Sequence, residues 1–173
     1  MERSHREGFT LVELMIVIVV LAILAGIVIP QFLTTSDRVR YMATRQNLQE
    51  LRDAIQLYRN QHLGRLPGVE GAVPDAVLAE QLTLPTNVLG ERSTAGDRGF
   101  GDPNFPFGPY VPNTVPRSPF NHSILVRTVR EFPTAAPGGV STSDPGWIYE
   151  ITSGRIRVNW DGRTPKGDLY WDL

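Results

Sequence analysis

The sequence predicts an α+β protein in which one long N-terminal helix lays its second half against a small antiparallel sheet. Three observations predict it. No glycine or proline interrupts residues 31–63, and within them Tyr41, Leu48, Leu51, Ile55 and Tyr58 recur at helical spacing. Residues 86–121 gather much of the chain's glycine and proline, as a long loop does. From residue 123 onward, short β-rich runs alternate with turn residues.

The first element is apolar on every side. Phe9–Ile29 carries a single charge, Glu13. Phe9–Leu33 is 25 residues, enough to span a bilayer with some tilt. A secretory signal has an uncharged apolar core and a small-residue cleavage site behind it. Here Glu13 interrupts the run and no such site precedes a mature start, so a retained membrane helix over 9–33 is expected. A carboxylate in hydrocarbon is costly unless a partner meets it, which makes Glu13 a functional candidate. Just upstream, Gly8 follows the charged stretch 1–7. A cut between Gly8 and Phe9 would place a new amino group four residues before Glu13. Arg3 and Arg6 precede the apolar run while Arg38, Arg40 and Arg45 follow it, so the flanks do not choose an orientation.

Residues 34–64 form the amphipathic second half of the same helix. Asp37, Arg38, Arg40, Arg45, Gln49, Arg52, Asp53 and Arg59 lie between the apolar positions as a solvated face. The helix should stop near His62, because Gly64 and Pro67-Gly68 follow. Phe9–His62 would then measure roughly 80 Å. Pro30, with Gly26 nearby, marks the expected bend.

Residues 65–173 form the globular domain. A short helix is expected over Pro74–Leu82, with proline suited to the opening turn. The loop 86–121 is rich in aromatics and should be pinned against the domain. The sheet region, 123–173, offers strands at Ile124–Val129, Trp147–Ile151 and Arg155–Trp160. The last two read as a hairpin about Thr152-Ser153-Gly154. Ile156, Val158 and Trp160 share one face, which suits a sheet with its opposite face wet. Leu169–Trp171 is the candidate last strand.

Composition excludes several function classes. The formal net charge is -1 and no Lys/Arg run occurs, so nothing electrostatic favours nucleic acid. With no cysteine there is no disulfide, thiol nucleophile or thiolate metal site. His5, His62 and His122 are scattered and read as helix-end or loop residues. No catalytic constellation is present, so an enzyme is not expected. Trp147, Trp160 and Trp171 read as core and sheet packing rather than a sugar platform. Asp97, Asp102, Asp161 and Asp168 are the candidate calcium ligands, since loop oxygens are what that ion takes. The competing reading makes them turn-forming aspartates. No spacing assembles them into a ligand loop, and no cofactor is expected.

Gly8-Phe9-Thr10-Leu11-Val12-Glu13, the apolar run behind it and Pro30 resemble the class III signal of type IV pilins and type II secretion pseudopilins. Gln81–Thr86, Phe107–Tyr110, Val115–Asn121, Gly146–Tyr149 and Gly154–Asn159 are similar to segments of major-pseudopilin-type proteins. The resemblance implies a pilin-like fold and removal of a leader, residues 1–8, by a prepilin peptidase that also methylates the Phe9 amine. It further implies a homo-oligomeric filament in which Glu13 meets the Phe9 ammonium of a neighbour. The implied site is the bacterial inner membrane, crossed once among its lipids, with the C-terminal domain periplasmic. An inner-membrane assembly platform and its ATPase are the implied partners.

The implied function is a structural subunit of a type II secretion pseudopilus. Two rivals are a type IV pilus subunit serving adhesion, motility or DNA uptake, and a minor tip subunit whose aromatic loop binds a ligand. Many type IV pilins close a C-terminal disulfide loop, so the lack of cysteine favours the secretion type. Major pseudopilins of this family carry calcium in a C-terminal loop, but no aspartate spacing here aligns with it.

Overall fold

One helix, α1 (Leu11–Gln61), runs for 51 residues. The computed structural model describes residues 9–69, 74–93 and 102–173, without the side chains of residues 27–35. Contacts divide the chain into two units, residues 1–39 and 40–173. The helical assignment of α1 continues through Pro30, whose side chain lies outside the described residues. α1 stops where glycine and proline predict. Leu63 and Gly64 take φ values of 56° and 80°, the left-handed region that ends a helix. The Gly64 N–H then donates back to the Arg59 carbonyl at 2.9 Å.

Within residues 40–173 the predicted stripe is the core. Leu48, Leu51, Ile55 and Tyr58 are at most 2 % exposed, and Tyr41 packs at the margin. Fully burying a side chain of this size contributes about 1.5–3 kcal/mol. Thr44 lies on the same stripe, and its hydroxyl donates to the Arg40 carbonyl at 2.7 Å, so burial leaves it satisfied.

A second helix, α2 (Pro74–Thr83), buries Val77, Leu78 and Leu82 and packs on the first strand. Three strands follow: β1 (Val126–Val129), β2 (Trp147–Glu150) and β3 (Arg155–Val158), in the order β1-β2-β3. The β2–β3 hairpin is antiparallel, as its turn residues predict, with Tyr149 opposite Ile156. β1 differs from expectation. It pairs parallel to β2, with Val126 opposite Trp147, so the small sheet is mixed rather than antiparallel throughout. The reason lies in residues 130–146. They carry the chain back to the start of β1, a crossover that antiparallel neighbours do not need. Gly146 and Trp147 then both donate to the Leu125 carbonyl.

The outer face is also less wet than predicted. Ile148 and Glu150 on that face are 0 % and 4 % exposed. Arg155 and Arg157 lie over the Phe132 ring at 5.3 and 4.6 Å, and Arg157 over Trp171 at 5.1 Å, so a cation–aromatic layer covers it. Leu169–Trp171 is not a strand. Leu169 makes one bridge to Arg163, and Tyr170–Asp172 forms a 3₁₀ turn. The outward acceptor of β3 at Ile156 already receives Arg52 Nη2 at 3.3 Å, which leaves this segment no ladder to join there. On the opposite edge, the Thr128 N–H and hydroxyl both donate to Asp75 Oδ1 of α2, the N–H at 2.6 Å.

The loop 86–121 is pinned, as its aromatics predict, over its described residues. Thr86 and Phe107 exchange main-chain bonds at 2.8 and 3.1 Å, and Tyr110 and Val111 both donate to the Leu82 carbonyl. Burial pushes the Tyr110 phenol up to about 12. It therefore stays protonated at neutral pH and donates to Gln61 Oε1 at 2.7 Å.

Glu150 gives a pH-dependent expectation. Its carboxylate takes hydrogen bonds from the Ser153 hydroxyl, the Arg155 guanidinium at 2.9 Å and the Phe132 N–H at 3.1 Å. Ser153 foremost, then Arg155 and Phe132, hold it below the usual carboxylate range, outweighing the opposing effect of burial. Because the folded pKa is the lower one, this stability is present above the unfolded value of about 4.3 and lost as pH falls through the folded value. In urea titrations Glu150→Gln should be less stable than wild type at pH 7, with the gap narrowing below about pH 4.3. A gap independent of pH would contradict this.

Candidate functional site

The N-terminal unit carries the predicted assembly residues. The Thr10 N–H and hydroxyl each donate to Glu13 Oε2 at 2.8 Å, and the Glu13 N–H donates to Thr10 Oγ1 at 3.2 Å. This is a reciprocal capping box, which occupies helix-start donors that have no partner within the helix. The Thr-x-x-Glu spacing signals the box in the sequence, and a reading of Glu13 as an unpartnered acid overlooks it. The carboxylate is thereby fixed at the first turn of α1, four residues after Phe9.

Around it the surface is apolar without a polar side. The large apolar side chains from Phe9 to Leu24 are 48–86 % exposed. Such a helix normally buries itself in a core, a bilayer or other helices. Among the described residues no helix is long and apolar enough to cross a membrane, and the described side chains of this run end at Gly26. Gly8 lies outside the described residues.

Among the described residues the remaining candidates do not form a centre. Asp102 Oδ1 accepts from the Asn104 N–H at 2.8 Å, the geometry of a turn-forming aspartate. Asp161 and Asp168 are exposed, and Asp97 lies outside the described residues. Among the described residues no three His, Asp or Glu side chains converge as a metal ion requires.

His62 sits at the end of α1 but is fully buried. A carbonyl can only accept, so Nδ1 carries the proton given to the Tyr58 carbonyl at 2.8 Å. In the neutral ring, Nε2 then accepts from the Thr86 hydroxyl at 3.0 Å. His62 therefore ties helix to loop. Trp147 donates to the Pro116 carbonyl at 2.8 Å, and Trp160 stacks on Phe120 at 4.7 Å, both as packing. Trp171 meets Phe132 at 5.5 Å.

Residues 3–29 match the family model described as the prokaryotic N-terminal methylation motif. The chain is similar to type II secretion system core protein G of Pseudomonas aeruginosa, 34 % identical over 59 residues, or 34 % of this chain and 42 % of the relative. The same protein of Klebsiella michiganensis matches to the same extent. That of Aeromonas hydrophila is 29 % identical over 85 residues, or 49 % of this chain and 58 % of the relative. The chain thus spans about half the length of these curated relatives. No solved structure matches it. The chain carries the prokaryotic N-terminal methylation motif and resembles the type IV pilin and type II secretion pseudopilin family through core protein G.

Proposed function

We infer that this chain is a structural subunit of a type II secretion pseudopilus, with no chemistry of its own. The observation that carries the reading is the division of labour along α1. Its first part is apolar all round with one carboxylate at the fifth position after Gly8; its second part is half-buried in a folded unit. The exposed apolar part suits a bilayer before assembly and the core of a filament afterwards, and Phe9–Leu33 has the length for the first. The subunit is held in the bacterial inner membrane, crossing once, with residues 65–173 in the periplasm. A prepilin peptidase cuts between Gly8 and Phe9 and methylates Phe9, and an assembly platform with its ATPase extracts the product.

Docking pairs the Glu13 carboxylate with the Phe9 ammonium of the next subunit, removing two unpaired charges together. In a low-dielectric core this fixes register, although desolvation offsets much of the attraction.

The first test is the N-terminal mass of this chain in filaments sheared from cells. A major component beginning at N-methylated Phe9 supports the reading, and uncut chain confined to membranes defeats it. Abundant filaments outside the cell would favour a type IV pilus instead, and a trace of cut chain a minor tip subunit. Gly8→Phe should leave full-length precursor, because a peptidase groove approaches most closely where no Cβ intrudes. Cleavage at the wild-type rate would remove Gly8 from this role.

A further inference from the structure

Arginine recurs at every seventh residue of α1: Arg45, Arg52 and Arg59, with Arg38 one step earlier in the sequence. A step of seven turns a straight helix by only about 20°. The three from residue 45 therefore lie along one edge roughly 21 Å long. Among the described residues neither Arg45 nor Arg59 belongs to an ion pair, whereas Arg52 is held inside the chain. The ion pairs Arg92–Glu80, Arg155–Glu150 and Arg157–Asp172 do not involve them. Arg45 instead rests over the Tyr41 ring at 5.9 Å, and Arg59 is exposed. Arg52 donates to the Ile156 carbonyl at 3.3 Å and to a terminal main-chain oxygen of Leu173 at 2.7 Å, while burial and the nearby Arg157 both disfavour its charge. A groove of about 680 Å³ is lined by Arg45 and Arg52 together with Lys166, Asp168 and Asp172.

The rest of the chain is charged the other way. Residues 40–61 hold four arginines against two carboxylates, and residues 62–173 hold ten cations against twelve carboxylates. Glu131 and Asp161 are exposed and, among the described residues, belong to no ion pair. We propose that the Arg45–Arg52–Arg59 edge and its groove receive the acidic C-terminal region of a second copy of this chain, with Glu131 and Asp161 among the carboxylates it meets. The proposal rests on the pseudopilus reading and names a contact within it. A contact between two different faces of one chain runs head to tail and propagates when the rotation does not close. Exposed pairs are individually weak, so the row of three sets approach and register more than affinity. Salt above about 0.15 M should slow assembly.

Lys166 is the only lysine in the chain, which makes zero-length carbodiimide cross-linking selective. Full-length chain carrying Arg45→Lys and Arg59→Lys would be assembled from a mixture of light and heavy nitrogen isotopes, cross-linked and digested. Isotope-mixed peptides joining positions 45 or 59 to carboxylates within 131–172 are expected. Links within one copy alone, or to a different protein, overturn the proposal. The reversal Arg45→Glu with Arg59→Glu should lower filament yield about tenfold while leaving leader removal and thermal midpoint unchanged. Wild-type filaments together with undiminished yield from the reversal would sink this contact alone. Absence of the wild-type chain from any filament would sink the pseudopilus reading and this contact with it.

Discussion

Under the proposed docking, Glu13→Val should insert in the membrane as wild type does and yield at least about tenfold fewer filaments, because the Phe9 ammonium of a neighbour would then enter an apolar core unpaired. The capping box complicates the interpretation of that variant alone, since valine also removes the bonds Thr10 makes to the carboxylate. Glu13→Gln separates the two effects. Glutamine serves at this position of a capping box, so the helix start survives while the charge is lost. Both variants should fail to assemble if charge docking governs. Wild-type yield from Glu13→Gln would reassign Glu13 to capping and end the docking role. Quantifying sheared filaments against membrane-bound chain distinguishes these results.

The largest loss of stability is expected at Trp147. It is fully buried at the start of the central strand, between Val126 and Val158, and its Nε1 donates to the Pro116 carbonyl at 2.8 Å. Trp147→Ala should cost about 3–5 kcal/mol through the cavity, and further for any carbonyl left unpaired. That is a large share of the roughly 5–15 kcal/mol that holds a domain folded. Urea unfolding of the full chain in detergent measures it, with Trp147→Phe expected between the two. A loss under about 1 kcal/mol would show that the centre of the sheet repacks freely.

What could be read in advance follows how local its cause is. The stripe from Leu48 to Tyr58 and the end of α1 were legible, because spacing and the Gly64 stop act within a few residues. The β2–β3 hairpin was legible for the same reason. The parallel pairing of β1 was not, since Ile124–Val129 reads the same in either direction and the return path of 130–146 decides it. Leu169–Trp171 has strand composition but finds the acceptor at Ile156 occupied by Arg52. The buried position of His62 was likewise hidden, because its partner Thr86 is 24 residues away. At the N-terminus the apolar run and Glu13 stood out. The Thr10 box was equally written there, yet a charged residue in an apolar run invites a long-range explanation before a local one.

The sheet has two borders, and each is closed by one charged side chain from a helix: Asp75 holds the donor of Thr128, and Arg52 holds the acceptor of Ile156. Unpaired strand borders are templates for misassembly, above all where many identical chains are crowded together. With these two positions occupied, a neighbouring strand finds no ready start there for zipping into an amyloid-like stack.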